Sequence, residues 1–131
     1  MNFAVHLESL LNMIVQLQGK AVGRQRADRY LRLSACDGMV FVAANEVVCG
    51  VEALVLKDGA CSLPRVKFAK VLMTYVPKEV ISIDANSDGL SIGGFRMKVR
   101  NYSEKVISPT NFERFALADR LEWGGYGRLA L

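Results

Sequence analysis

The stretch Ser62-Leu63-Pro64-Arg65-Val66-Lys67-Phe68-Ala69-Lys70-Val71-Leu72-Met73-Thr74-Tyr75-Val76-Pro77 decides how the rest of the chain is read. It predicts a helix with its own start and stop. Ser62 offers a hydroxyl to an unpaired N–H at the helix start, and Pro64 already has a helical φ and needs no donor there. Pro77 lacks the N–H to continue a helix and pushes Val76 toward extended geometry. At 100° per residue, Phe68, Ala69, Leu72, Tyr75 and Val76 share one apolar face. Lys67, Lys70 and Thr74 lie together on the other side. Strand-like segments precede and follow, so the helix is expected to lie on a sheet.

Composition bounds the classes open to such a chain. Its 131 residues are 51% hydrophobic and 23% charged, which suits one globular domain with a core of its own. The net charge of +4 is compatible with nucleic acid without demonstrating it. Cys36, Cys49 and Cys61 are widely spaced and contain no C-x-x-C pair, so a reduced, cytoplasmic chain is expected. No apolar run approaches the ~20 residues needed to span a bilayer, and no membrane association is expected. The N-terminus has no basic segment before its apolar run, which Glu8 and Asn12 interrupt, so no signal peptide is expected.

Working outward, residues 5–18 predict a second helix, with Leu7, Leu10, Leu11, Ile14 and Leu17 on one face. Glu8, Ser9, Asn12 and Gln16 fall on the other, and Gly19 can end it. Lys20, Arg24, Arg26, Arg29 and Arg32 then form the densest positive charge in the sequence, opposed by Asp28. They read either as a solvated loop and strand edge or as a patch that neutralises phosphates without reading bases. Tyr30–Cys36 and Met39–Ala44 alternate around Asp37-Gly38, a tight-hairpin signal, and Val47–Leu56 alternates again up to Asp58-Gly59. After the quoted helix, Val80–Ala85, Leu90–Ile92 and Phe95–Arg100 form another meander, turned at Asn86–Gly89 and at Gly93-Gly94. Helix, strand, Asp-Gly, strand, strand thus occurs twice, at about 1–60 and 61–100. The pattern predicts an α+β domain in which two helix-plus-three-strand repeats pack two helices on antiparallel sheet.

Residues 30–99 resemble one domain of the DNA polymerase sliding clamp family, the beta-clamp and PCNA-like processivity factors. The likeness is carried by Leu33-Ser34-Ala35-Cys36-Asp37, the strand Val47–Leu56, Asp58-Gly59 and Leu63-Pro64…Phe68…Val71-Leu72…Val76-Pro77. Val80–Asp84 and Leu90-Ser91-Ile92-Gly93 complete it. These are hydrophobic and turn positions, not catalytic residues. The resemblance implies a DNA-clamp-like fold, a role in DNA replication, and partners that include double-stranded DNA, held non-specifically by its backbone, other copies of the chain, and replication proteins. In that family six such domains close a ring, helices line the hole, and edge strands pair across interfaces. By position, Lys67 and Lys70 would face the hole, and Lys20, Arg24, Arg26 and Arg29 are further candidates for DNA binding. Without the resemblance, Lys67 and Lys70 are an ordinary solvated helix face.

The sequence also departs from the family pattern. Known clamps carry two or three such domains per chain, so a ring of this one would need about six copies. The outward face of the first helix carries little positive charge for a pore lining. Residues 101–131 form a C-terminal extension, where Asn111 or Thr110 can cap a helix and Phe112, Phe115, Ala116 and Trp123 gather on one side. The extension is expected to pack on its own domain or to dock on a neighbouring copy. Gly124–Gly127 is not a phosphate loop, because no strand-to-helix junction with a following lysine surrounds it.

No enzyme is expected. His6 is the single histidine, at the margin of the first helix, and reads as a packed or capping residue. The cysteines lack metal-ligand spacing, Asp84 and Asp88 flank a turn, and Ser34 and Ser91 have no visible base. No metal or cofactor is implied. Two function classes follow: a clamp-like protein that holds duplex DNA as a ring, or a clamp-fold protein-interaction module that does not encircle DNA.

Overall fold

The computed structural model describes residues 1–20, 30–44, 46–76 and 79–115, with the backbone alone for 18–20. The first unit runs through β1 (Asn2–His6), α1 (Leu7–Lys20), β2 (Tyr30–Cys36), β3 (Met39–Ala44), β4 (Val47–Glu52) and β5 (Leu54–Lys57). The second runs through β6 (Gly59–Pro64), α2 (Arg65–Leu72), β7 (Val80–Asn86), β8 (Gly89–Ile92) and β9 (Phe95–Met97). After these come β10 (Arg100–Ser103) and β11 (Glu113–Arg114).

Two sheets result, a five-stranded one ordered β5-β1-β7-β8-β9 and a six-stranded one ordered β10-β6-β2-β3-β4-β11. Each unit opens with a strand that pairs with the first meander strand of the other unit, and β1 pairs with β5 on its other side. Thus β1 runs antiparallel to β7, and β6 runs antiparallel to β2. This exchange closes the two halves into one body. The expected α+β architecture of two helices on antiparallel sheet is present, with one parallel contact, β11 on β4.

The core follows from strand alternation. In β7, Ile81, Ile83 and Ala85 point inward while Val80, Ser82 and Asp84 face solvent. They join Phe3 and Val5 of β1, and Leu31, Leu33, Val40, Val42, Cys49, Cys61 and Leu63 from the six-stranded sheet. Both helices cover this core: Leu10, Met13, Ile14 and Leu17 from α1, and Phe68, Ala69 and Leu72 from α2. Each large side chain so buried stabilises by about 1.5–3 kcal/mol. The outer face of the six-stranded sheet carries a second, smaller cluster of Cys36, Met39 and Phe41, against which Val48, Val106 and Phe112 pack.

Several expectations are corrected. The repeat is strand–helix–meander, because Val5 and His6 belong to β1 and α1 starts at Leu7. His6 is wholly buried in that strand, and Ser9 is buried rather than outward. Gly19 does not end α1, which continues to Lys20. Ser62 is not a helix cap: it sits in β6, and its hydroxyl accepts a 3.2 Å hydrogen bond from Arg32 Nη1. Pro64 occupies the cap position of α2 with φ −64° and ψ 120° and no side-chain hydrogen bond. The helix ends at Leu72, well before Pro77, which lies outside the described residues, as the Tyr75 hydroxyl turns away to the Ile92 carbonyl at 2.9 Å. Tyr75 is half-buried and Val76 exposed, so the apolar face is shorter than the periodicity implied. The run Val47–Leu56 breaks at Ala53 and divides between the two sheets.

Candidate nucleic-acid interface

The basic side chains of α2 owe their position to the burial of its opposite face. Phe68, Ala69 and Leu72 fix the rotation of the helix, which leaves Lys67 and Lys70 exposed. Lys67 lines one wall of an open groove of about 420 Å³, together with Pro64, Asp88, Arg96, Met97 and Lys98. Three bases and one carboxylate therefore meet where the start of α2 passes the β8–β9 hairpin.

Two features of the hairpin put Arg96 and Lys98 there. Gly93, at φ +55°, makes the reversal after β8, and buried Met97 points inward so that its exposed neighbours Arg96 and Lys98 face out. The hydroxyl of Tyr75, three residues past the end of α2, donates to the carbonyl of Ile92, the last residue of β8, and so ties the exit of the helix to the hairpin. Sequence reasoning named Lys67 and Lys70 but passed over Arg96 and Lys98, which looked like ordinary strand residues. Their signal was alternation within Phe95–Arg100; what could not be read was which strand edge the helix start would meet.

The remaining candidates separate from this groove. Lys20 is the last residue of α1, with its side chain outside the described part, and Arg24, Arg26 and Arg29 lie outside the described residues. Arg32, also in that basic run, is committed to the sheet: Nη1 bonds Ser62 and, at 2.7 Å, the Asn101 carbonyl. The outward face of α1 carries exposed Asn12 and Val15 and half-buried Glu8 and Gln16, and among its described side chains adds no positive charge. On α2, Val66 and Met73 stand exposed on either side of Lys70.

Catalytic chemistry has little to work with. Among the described residues no group of three or more His, Cys, Asp or Glu side chains is placed to hold a metal. The three thiols are buried, and burial pushes Cys61 up to about 11, with the Arg32 charge countering part of that effect. Such a thiol is protonated and inert at neutral pH. No helix among the described residues is long and apolar enough to cross a membrane.

Two crossed strand–helix–meander units on two sheets define a class of fold, that of a single clamp-like domain. No family model and no curated protein matches the chain. Solved structures do. The beta clamp of Helicobacter pylori bound to a DNA ligase peptide superposes with a TM-score of 0.66 at 16% identity, over 77% of this chain and 31% of that one. A DNA polymerase sliding clamp from Caulobacter crescentus gives 0.63 at 14% identity, over 84% and 33%. The DNA polymerase III subunit beta of Pseudomonas aeruginosa gives 0.62 at 16%, over 76% and 30%. The chain spans about a third of the length of these clamps, and at such identities the likeness is one of fold.

Proposed function

We propose that this domain associates with duplex DNA through the helix start and hairpin edge that carry Lys67, Lys70, Arg96 and Lys98. Copies assemble around the duplex, so that the protein acts as a non-enzymatic, cytoplasmic clamp in replication. The observation that carries the reading is the convergence of Lys67, Arg96 and Lys98 on one open groove beside Lys70. Exposed, hydrated bases on a rigid frame suit a backbone that must be held without being read. Lys20, Arg24, Arg26 and Arg29 stay candidates for DNA contact on the sequence pattern alone. Residues 1–100 form the clamp-like domain, and residues 101–131 its extension.

A second reading rests on the exposed apolar side chains Val66 and Met73 around Lys70, with the nearly uncharged outward face of α1 beside them. Such a surface suits a protein partner, and the domain would then be an interaction module that does not encircle DNA.

Salt separates the two. Duplex binding measured across an ionic-strength series should weaken steeply, and changing Lys67 and Lys70 together to glutamate should abolish it with folding intact. Binding at unchanged affinity in the double variant would remove this surface from the contact. Binding indifferent to salt would favour the protein-partner reading.

A further inference from the structure

Where copies of this chain would join, its own C-terminal segment already sits. The six-stranded sheet ends in β10 on one side and in β4 on the other, and β11 is laid along β4. The connection between β10 and β11, residues 104–112, must therefore cross the whole sheet. Five strand spacings of about 4.8 Å amount to roughly 24 Å, while this connection reaches only about 30–35 Å fully extended. It is a strap over the outer face with little length to spare for a detour, and Val106 and Phe112 pack there on the Cys36, Met39 and Phe41 cluster.

Among the described residues, the strap's far end is held by the Phe112 ring, a two-residue ladder, one ion pair, a 3.5 Å bond from Gln16 Nε2 to Glu113 and the packing of Phe115 against the main core. The Phe112 ring meets Phe41 edge-on, with centroids 4.9 Å apart, over Gly50, where any Cβ would collide with both rings. The ladder is parallel and pairs just Glu113 with Cys49 and Arg114 with Gly50, extended by a 2.7 Å bond from Phe115 N–H to the Gly50 carbonyl. Arg114 pairs with Glu52 at 2.8 Å, with both side chains exposed. Phe112 is half-buried and Glu113 and Arg114 are exposed. A short parallel ladder and a solvated ion pair are weak ties.

We infer that residues 111–115 are a releasable cap on the β4 edge, competing in cis with a second copy of this chain. This rests on the assembly reading above and names how that assembly is controlled. Lifting the cap leaves an open edge strand with unpaired N–H and C=O groups, beside the apolar Phe41 cluster. The opposite edge, β10, has no strand on its outer side among the described residues. It carries exposed Arg100, and β4 carries Glu52, so the β10 edge of another copy can supply the positive charge that Arg114 supplies in cis. Addition of β10 to β4 continues the sheet from copy to copy.

The test compares the full-length chain with its Phe112→Ala, Arg114→Ala variant by light scattering over a concentration series without DNA. The wild type should stay at 14.5 kDa, and the variant should rise with concentration through whole multiples of that mass. A synthetic peptide of residues 104–115 should return the variant to one copy, and a further Arg100→Glu change should prevent assembly. A folded variant that stays at 14.5 kDa overturns the cap, as does a wild type that assembles with its strap in place, or assemblies that the peptide leaves intact. Titrating the same variant with duplex DNA keeps the two ideas apart. Assembly without salt-dependent DNA binding sinks the DNA reading and leaves the cap standing; DNA binding by a variant that stays a single copy does the reverse.

Discussion

The hydroxyl oxygen of Tyr75 lies 2.6 Å from where a Cβ on Gly93 would stand, while the same hydroxyl donates to the Ile92 carbonyl at 2.9 Å. A side chain on residue 93 would force the Tyr75 hydroxyl to shift from its present position. Gly93 also holds φ +55°, which an L side chain adopts at a cost. This pair locks the segment just after α2 to the β8–β9 reversal, and through it sets where Arg96 and Lys98 stand relative to Lys67.

Tyr75→Phe should therefore cost about 1 kcal/mol, the net worth of one hydrogen bond. Gly93→Ala should cost more, about 1–3 kcal/mol, from backbone strain and collision together. The two should be non-additive: in the Tyr75→Phe background, Gly93→Ala should lose only its backbone component. Denaturant melts of the four proteins check this, and additive losses would show that the hydroxyl contact does not constrain residue 93.

Cys61 gives a pH prediction. Its side chain is wholly buried, and burial raises the thiol from 9.0 to about 11. An acid whose folded pKa is raised keeps its proton longer when folded, so its contribution is intact below about pH 9 and is lost as pH climbs toward 11. The linkage amounts to on the order of 2–3 kcal/mol. Melts between pH 8 and 11 should show this loss in the wild type and a shallower fall in Cys61→Ala, which starts from a lower stability because of the cavity it leaves. Rapid alkylation of Cys61 in the native protein at neutral pH would contradict the burial on which the prediction depends.

The hairpin bases predict a change in salt dependence rather than a simple loss. If Arg96 and Lys98 each neutralise a phosphate, replacing either by glutamine should weaken duplex binding about equally for all sequences and lower the slope of log affinity against log salt by roughly one. Replacing Lys105, an exposed base on the outer connection and outside the 111–115 cap, should leave that slope unchanged. Equal slopes for all three variants would place the DNA elsewhere.

How much of this could be read from sequence depended on whether the signal was local. The β2–β3 hairpin was legible because Asp37 and Gly38 both take positive φ, 54° and 70°, which their residue types announce. The buried face of α2 was legible from its period. By contrast, β1 merged with the helix that follows it, since Val5 and His6 continue an apolar pattern and only pairing with β7 makes them strand. β6 was misread for a similar reason: Ser62 and Pro64 look like a helix start, yet Ser62 is held in a ladder opposite Arg32. Gly59 was read as a turn residue, whereas its lack of a side chain also admits Met1, whose Cβ lies 2.5 Å from where a Cβ on Gly59 would be. The groove was half legible. Lys67 and Lys70 sit on one helix face, but Arg96 and Lys98 join Lys67 only through the register of a hairpin far along the chain.

Arg32 offers the last prediction, because one guanidinium serves two purposes. From β2 it reaches over β6 to the Ser62 hydroxyl and on to the Asn101 carbonyl, binding three neighbouring strands with Nη1. Its charge also opposes the burial that raises the Cys61 thiol. Arg32→Met keeps much of the side-chain length and loses both effects. Amide exchange along β10 should quicken, since the strand keeps its ladder to β6 but loses its cross-strand tie, and stability should fall by about 1.5–3 kcal/mol, the range for hydrogen bonds to a charged group. The Cys61 thiol should meanwhile titrate higher than in the wild type, so the alkaline loss of stability should extend to higher pH. Faster exchange in β10 with an unmoved thiol would confine Arg32 to a tether; a shifted thiol with unchanged exchange would leave it acting through its charge alone.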